Sequence, residues 1–173
     1  PGKKVSNYKL FFGGKEIFIT SYPDLESIPE YILKKADTML NYASFRSAYE
    51  STLKAMDIES IQNIIIIAEW IPESQTRKII AYNKIKQKNI IGPSTVGAMV
   101  NGEFRVGNTG GSLDNIVTSK LYKKGSVGFV SKSGGMSNEL RRIIADTTNG
   151  THTSVAIGGD KYSIATFKDV ILA

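Results

Sequence analysis

The sequence has no cysteine and a single histidine in 173 residues. Without cysteine there is no disulfide, no thiolate chemistry and no cysteine-based zinc site. One histidine excludes a multi-histidine metal centre and leaves His152 as the only imidazole base. Long apolar runs are missing too. The longest uninterrupted aliphatic stretch spans residues 64–68, far short of the roughly 20 residues that cross a bilayer. No apolar segment follows the opening Pro1-Gly2-Lys3-Lys4, so no signal peptide is expected. Together with the absent cysteine this fits a reducing compartment.

What is present is ordinary for a globular domain: 41% hydrophobic and 22% charged residues. A chain of this size buries about 70% of its unfolded surface and needs no staples. The 22 Lys+Arg against 16 Asp+Glu give a net charge of +6, which favours anionic partners but also fits a solvated surface. The lysines are scattered, with doublets at Lys3-Lys4, Lys34-Lys35 and Lys123-Lys124. No arginine-rich helix or aromatic ladder accompanies them, so a nucleic-acid partner is not expected.

The hydrophobic pattern alternates. Residues 16–20 read as a strand, and Asp24 or Ser27 as the cap of a helix running to Lys35. Residues 37–42 read as a strand and 44–56 as a helix. The run Asn63-Ile64-Ile65-Ile66-Ile67-Ala68 is apolar throughout, as a parallel strand buried on both faces must be. Pro72 can open a helix that carries Ile79, Ile80 and Ile85 to Lys88, and residues 89–92 form another strand. Strand–helix alternation predicts an α/β layer with a parallel sheet and right-handed crossovers. Residues 92–113, rich in Gly and Asn, predict a hairpin and a loop. A new βα unit follows: a strand at 126–130, a helix at 136–147 and a strand at 154–157. The expected boundary lies near 120–124, giving domains 1–122 and 123–173. The domain at 123–173 is expected to be incomplete, because two strands do not make a stable open sheet. The pattern at 166–173 has no stop signal, which suggests a segment of a longer protein.

The best local signal for chemistry is Ser131-Lys132-Ser133-Gly134-Gly135 between strand and helix. The first N–H groups of a helix are unpaired and its dipole is positive there, so an anion is favoured. The plainer alternative is a serine that only caps the helix. Gly158-Gly159-Asp160 is another glycine turn after a strand. Both turns should lie at one sheet edge, where ligands of open α/β sheets bind. Asp160 fits a turn residue or a cation ligand. Glu69, with Trp70 beside it, ends the Ile-rich strand and could hold a ribose or an amine. Phe45 could present an aromatic face or pack in the core. His152 has no acid or nucleophile at triad spacing and reads as structural or exposed. Nothing matches a Walker A loop.

Several runs together resemble the ATP-citrate lyase family. They are Asn41-Tyr-Ala-Ser-Phe-Arg-Ser-Ala-Tyr-Glu-Ser-Thr52, Ile67-Ala-Glu-Trp-Ile-Pro-Glu73, Ile90-Ile-Gly-Pro-Ser-Thr-Val-Gly97, Val106-Gly-Asn-Thr-Gly-Gly111, Leu113-Asp-Asn115, Val130-Ser-Lys-Ser-Gly-Gly-Met-Ser-Asn-Glu-Leu140 and Ile157-Gly-Gly-Asp160. The resemblance runs from about Lys15 to the end. It implies a Rossmann-like, parallel-sheet CoA-binding domain followed by the start of a flavodoxin-like α/β ligase domain. The wider relative is the α subunit of succinyl-CoA synthetase, which lacks the Gly-Asn-Thr-Gly-Gly and Ser-Gly-Gly-Met-Ser-Asn-Glu versions seen here.

The resemblance implies an enzyme making acetyl-CoA and oxaloacetate from citrate, CoA and ATP with Mg2+ in the cytoplasm, through a phosphohistidine and citryl-phosphate. It implies CoA contacts at Lys3, Ser44, Phe45, Ile67, Ala68 and Glu69, and citrate or phosphate contacts at Ser133, Gly134 and Gly135. It implies an ATP-grasp region or subunit as partner and a homo-oligomer, with no nucleic acid, membrane or resident metal site. The family's first glycine loop, its Gly-His-Ala-Gly segment and its ATP-grasp region have no counterpart in these residues; His152 does not match the phosphorylated histidine. The chain alone is therefore expected to be inactive. Trp70 stands where the family pattern calls for Gly, which alters the CoA side. The alternatives are a succinyl-CoA synthetase-like α subunit and a non-catalytic CoA- or anion-binding module.

Overall fold

The computed structural model describes residues 4–12 and 14–173. Lys3, expected at the CoA site, lies outside the described residues. The chain forms two compact units, Pro1–Ala36 and Asp37–Ala173.

In the first unit, β1 (Ser6–Phe12) and β2 (Lys15–Ser21) pair antiparallel in full register, from Ser6 opposite Ser21 to Phe12 opposite Lys15. The strand expected at 16–20 is thus half of a hairpin and not the first strand of the parallel sheet. Alternating apolar residues on both sides of Gly13-Gly14 are the signal for such a hairpin. Tyr8, Leu10, Ile17 and Ile19 share one exposed face. The helix expected from Asp24 or Ser27 shrinks to α1 (Glu30–Leu33). Ser27 N–H does donate to Asp24 Oδ1 at 2.8 Å. Pro29, extended at ψ 138°, is the N-cap, so the helix begins only after it.

The second unit starts as the pattern predicts. β3 (Thr38–Asn41), β4 (Asn63–Ile66) and β5 (Asn89–Ile91) form a parallel sheet in the order β3-β4-β5. The crossovers are α2 (Ala48–Met56) and α3 (Glu73–Lys86). Ile64, Ile66 and Ile79 are fully buried with Met56, Ala48 and Ala55. Each buried isoleucine contributes roughly 1.5–3 kcal/mol by leaving water. Buried Asn41 closes the β3–α2 turn. Its Nδ2 donates to Ala48 O (3.1 Å) and Thr52 Oγ1 (3.0 Å), and its Oδ1 accepts from Ala43 N–H (3.0 Å).

β6 (Gly97–Val100) and β7 (Phe104–Val106) make the expected hairpin. α4 (Leu113–Thr118) follows, then β8 (Val127–Ser131), α5 (Gly134–Thr147) and β9 (Thr151–Ala156), with β8 and β9 parallel. A short α6 (Phe167–Ile171) follows β9, opened by a capping box between Thr166 and Asp169. The four strands form one sheet in the order β7-β6-β9-β8. That sheet draws strands from both sides of residue 122. The βα unit expected to lack strands is completed by β6, which lies antiparallel against β9.

Candidate anion cleft at the strand ends

The carboxyl ends of β4 and β9 are tied together by residues 92–95. Gly92 N–H donates to Ile157 O (3.0 Å), Ser94 N–H to Ala68 O (2.8 Å) and Gly159 N–H to Ser94 O (2.9 Å). This segment turns tightly: Gly92 has φ +108°, Ser94 +59° and Gly97 +97°, and the Gly92–Pro93 bond is cis. A Cβ on Gly92 would stand 2.5 Å from Ile66 O, so the turn needs glycine there.

A cleft of about 530 Å³ opens at this edge. Ile67 and Glu69 line it from the end of β4, Ser94, Thr95 and Val96 from the tight turn, and Asn108 from the loop after β7. Lys132, Ser133, Gly134 and Gly135 come from the start of α5, and Gly159 from the end of β9. Both glycine turns marked by the sequence therefore border the same cavity, as parallel β8 and β9 require.

The α5 start is firmly built. Ser133 is the N-cap, and its Oγ accepts from Met136 N–H (3.4 Å). Its carbonyl accepts from Ser131 Oγ (2.9 Å) and Ser137 Oγ (2.6 Å). The 14-residue helix then directs the positive end of its dipole, and the N–H groups of its first turn, at the cleft. Lys132 adds a full positive charge. A Cβ on Gly134 would meet Val96 Cγ1 at 2.5 Å, whereas one on Gly135 would meet nothing within 4 Å. Gly134 thus packs against the opposite wall, and Gly135 faces open space.

On the far side stand carboxylates. Burial, and then the charge of Glu69, push the Asp160 carboxyl above its ordinary range; Trp70 N–H and Lys132 pull the other way. Asp160 lines a separate pocket of about 200 Å³ with Trp70, Glu73, Lys161 and Tyr162. Trp70 is 80% exposed and has φ +66°, a backbone region that favours glycine. The glycine expected at this position from the family pattern has its counterpart in this left-handed backbone.

Of the residues expected at the site, Ile67, Glu69, Ser133, Gly134 and Gly135 line the cleft. Ala68 stands behind it, its carbonyl taken by Ser94 N–H. Ser44 and Phe45 follow β3 at the same sheet edge but do not line this cavity. Ser44 O accepts from Ser47 and Ala48 N–H, and Phe45 is 41% exposed under the Arg46 guanidinium at 5.2 Å. Lys132, within the Ser-Lys-Ser-Gly-Gly run marked by the sequence, lines the cleft as well, whereas sequence reasoning missed Ser94, Thr95, Val96 and Asn108. Their signal lay in Gly-Pro-Ser-Thr and Gly-Asn-Thr-Gly-Gly, runs whose glycines permit the turns that present them. No group of three or more His, Asp or Glu that could hold a metal occurs among the described residues. No helix among them is long and apolar enough to cross a membrane.

No family model matches the chain. The chain is similar to the ATP-citrate synthase of Bos taurus, 51% identical over 166 residues that make up 95% of this chain and 15% of that protein. It is similar to an ATP-citrate synthase subunit 1 of Sordaria macrospora, 49% identical over 165 residues, 95% of this chain and 24% of that subunit. Among solved structures it is similar to ATP citrate lyase from Methanothrix soehngenii in complex with citrate and coenzyme A. That match has a TM-score of 0.90 and 44% identity, and covers 98% of this chain and 27% of that one. The chain thus spans about a quarter or less of these relatives' length.

Proposed function

Because the chain belongs to the ATP-citrate synthase family, we propose that it supplies part of the CoA and citrate sites of an enzyme making acetyl-CoA and oxaloacetate from citrate, CoA and ATP. The observation that carries this reading is the cleft itself. It joins the end of β4, with Ile67 and Glu69, to the N-terminus of α5, with Ser133, Gly134 and Gly135.

The residues take complementary roles in this proposal. Ser133, Gly134 and Gly135 hold a carboxylate of citrate, or the phosphoryl group passed to it, through one hydroxyl and two backbone N–H groups. Such neutral donors bind an anion without repelling a second one, and Lys132 adds charge at the rim. Ile67, Ala68 and Glu69 border the CoA path, and Ser44 and Phe45 extend it along the same sheet edge towards the nucleotide. Residues 1–122 then serve CoA and 123–173 begin the ligase part. The phosphohistidine, the ATP-grasp partner, ATP and Mg2+ belong to the assembled enzyme; the chain's one histidine, His152, sits in β9 and is bonded through Nδ1 to Thr153 Oγ1 (2.7 Å). By the same reasoning the assembled enzyme is a cytoplasmic homo-oligomer that supplies acetyl-CoA for lipid synthesis, and the isolated chain has no turnover.

Gly135→Asp tests the citrate half. The new side chain has room in the cleft and places a negative charge among the donors. Loss of one charge-assisted hydrogen bond costs roughly 1.5–3 kcal/mol, so citrate should bind about tenfold or more weakly. Calorimetry with citrate and, separately, with CoA reads this directly. An unchanged citrate affinity in a folded Gly135→Asp chain would show that the turn is not the citrate site.

A further inference from the structure

Arg141, in the middle of α5, is fully buried. Its partners are all neutral. Nε and Nη2 donate to Ser154 Oγ at 3.2 and 3.0 Å, Nη1 to Asn138 Oδ1 at 3.1 Å, and Nη2 also to Thr109 Oγ1 at 2.5 Å. Thr109 and Ser154 are themselves fully buried. Burying a guanidinium without a carboxylate is costly, and desolvation lowers its pKa to about 10, with Arg105 adding repulsion. An apolar side chain of similar length would fill the same volume without that cost.

What the guanidinium alone provides is a rigid fork joining three segments. Thr109 adjoins Asn108, which lines the cleft from the loop after β7. Asn138 lies one turn into α5, whose first residues line the cleft. Ser154 lies on β9, which leads to Gly159 on the cleft wall. The loop at 107–111 is the segment most in need of a tether. Gly107, Gly110 and Gly111 all have positive φ (+79°, +86° and +64°), and three glycines carry much backbone entropy. Tyr42 Oη reaches this loop from outside through Asn108 Oδ1 (3.0 Å), and Arg141 reaches it from within.

We propose that Arg141 is a positioning residue for the cleft: its buried guanidinium sets the distance between the Asn108 loop and the N-terminus of α5, and so the fit of the anion between them. This rests on the reading of residues 133–135 as a citrate site. It goes beyond that reading by assigning the fit to a residue that touches no ligand.

The test uses the whole chain, citrate as the probe, and a paired substitution at the tether. Thr109→Val keeps the shape and removes the acceptor; Thr109→Ser keeps the acceptor. In Thr109→Val, citrate should bind about tenfold more weakly. Amide exchange at Gly111, whose N–H closes the loop on Asn108 O at 3.2 Å, should accelerate by a similar factor. Thr109→Ser should restore both and melt close to the parent, while Thr109→Val should melt several degrees lower and stay folded at the assay temperature. Arg141→Lys, with one point donor in place of the fork, should behave like Thr109→Val. If Gly111 exchange and citrate affinity in Thr109→Val match the parent, or if Thr109→Ser is as impaired as Thr109→Val, the positioning role is wrong. Citrate shifts at residues 133–135 in the parent, followed by nitrogen-resolved NMR, separate the two levels. Shifts there with insensitive variants overturn only the role of Arg141, whereas no shifts in the parent overturn the site reading and this proposal with it.

Discussion

Gly134 and Gly135 are neighbours at the start of α5, yet alanine should act on them in opposite directions. Neither needs a positive φ, so alanine gains at both sites by narrowing the unfolded ensemble, by about 0.4–1 kcal/mol. At Gly135 nothing opposes the gain, because the added Cβ meets nothing within 4 Å. At Gly134 the Cβ falls 2.5 Å from Val96 Cγ1 and 3.2 Å from Val96 Cγ2. Val96 has little room to withdraw. Thr95 beside it donates its hydroxyl to Ala156 O and accepts from Gly97 N–H (2.9 Å). On the other side, Gly97 is packed so closely that a Cβ there would stand 2.0 Å from Val106 O. Overpacking of this kind costs about 1–3 kcal/mol and outweighs the entropic gain. In a chain of this size 1 kcal/mol moves Tm by about 2–4 °C. Gly135→Ala should therefore melt about 1–4 °C above the parent, and Gly134→Ala about 2–6 °C below it. Scanning calorimetry on the three chains under one buffer measures both shifts. If both alanines move Tm the same way, the packing of α5 against the 92–97 turn is not as described.

Two other substitutions address the opposite wall. Trp70→Gly should raise Tm by about 1–3 °C, because relief of a left-handed backbone, worth about 1–2 kcal/mol, exceeds the glycine entropy cost of about 0.5–1 kcal/mol; Trp70→Ala should not raise it, and a Trp70→Gly chain no more stable than Trp70→Ala would contradict the strain. Asp160→Asn should melt slightly above the parent at pH 7. Burial and Glu69 raise the Asp160 pKa above 3.8, so its favourable protonated form is fully present below that value and lost as pH rises through the folded pKa. The advantage of Asn should accordingly shrink on acidification, and a gap that widens towards pH 3 would reverse the assignment.

The core of the second unit is legible in the sequence because its physics is local. Four isoleucines in a row admit few structures other than a strand covered on both faces, and β4 is that strand. The spacing of apolar residues places α2, α3 and α5 to within a turn. The two glycine turns can be set at one edge from strand direction alone. What escapes is non-local or conformational. β1 has the alternation of a strand, but its partner is β2, next in the sequence, and not a strand of the sheet that follows. The pairing of β6 with β9 joins segments far apart in sequence, with no pattern to announce it. Pro29 cuts short a helix whose capping residues, Asp24 and Ser27, do bond to each other. The resemblance places Ser44 and Phe45 at the CoA site, and strand position alone does not say whether they line the anion cleft. They stay out of the cleft because the side chain of Asn41 binds the backbone of Ala43 and Ala48 and holds the turn between them against α2. Ser94 and Asn108 reach the cleft through left-handed turns, which leave only glycines as a trace.

The order β7-β6-β9-β8 also governs how this sheet can be made. β6 is synthesised early, yet the strand that occupies its free edge, β9, emerges about fifty residues later. β8 waits for the same partner. At typical elongation rates of about 5–20 residues per second, β6 remains open-edged on the ribosome for roughly 3–10 s and β8 for roughly 1–4 s. Open edges invite pairing with other chains. β9 therefore acts as a keystone in time as well as in space: until residues 151–156 arrive, β6 has an open edge beside its partner β7 and β8 has no partner, and any interruption of synthesis between β8 and β9 leaves a product whose exposed edges make it prone to aggregate.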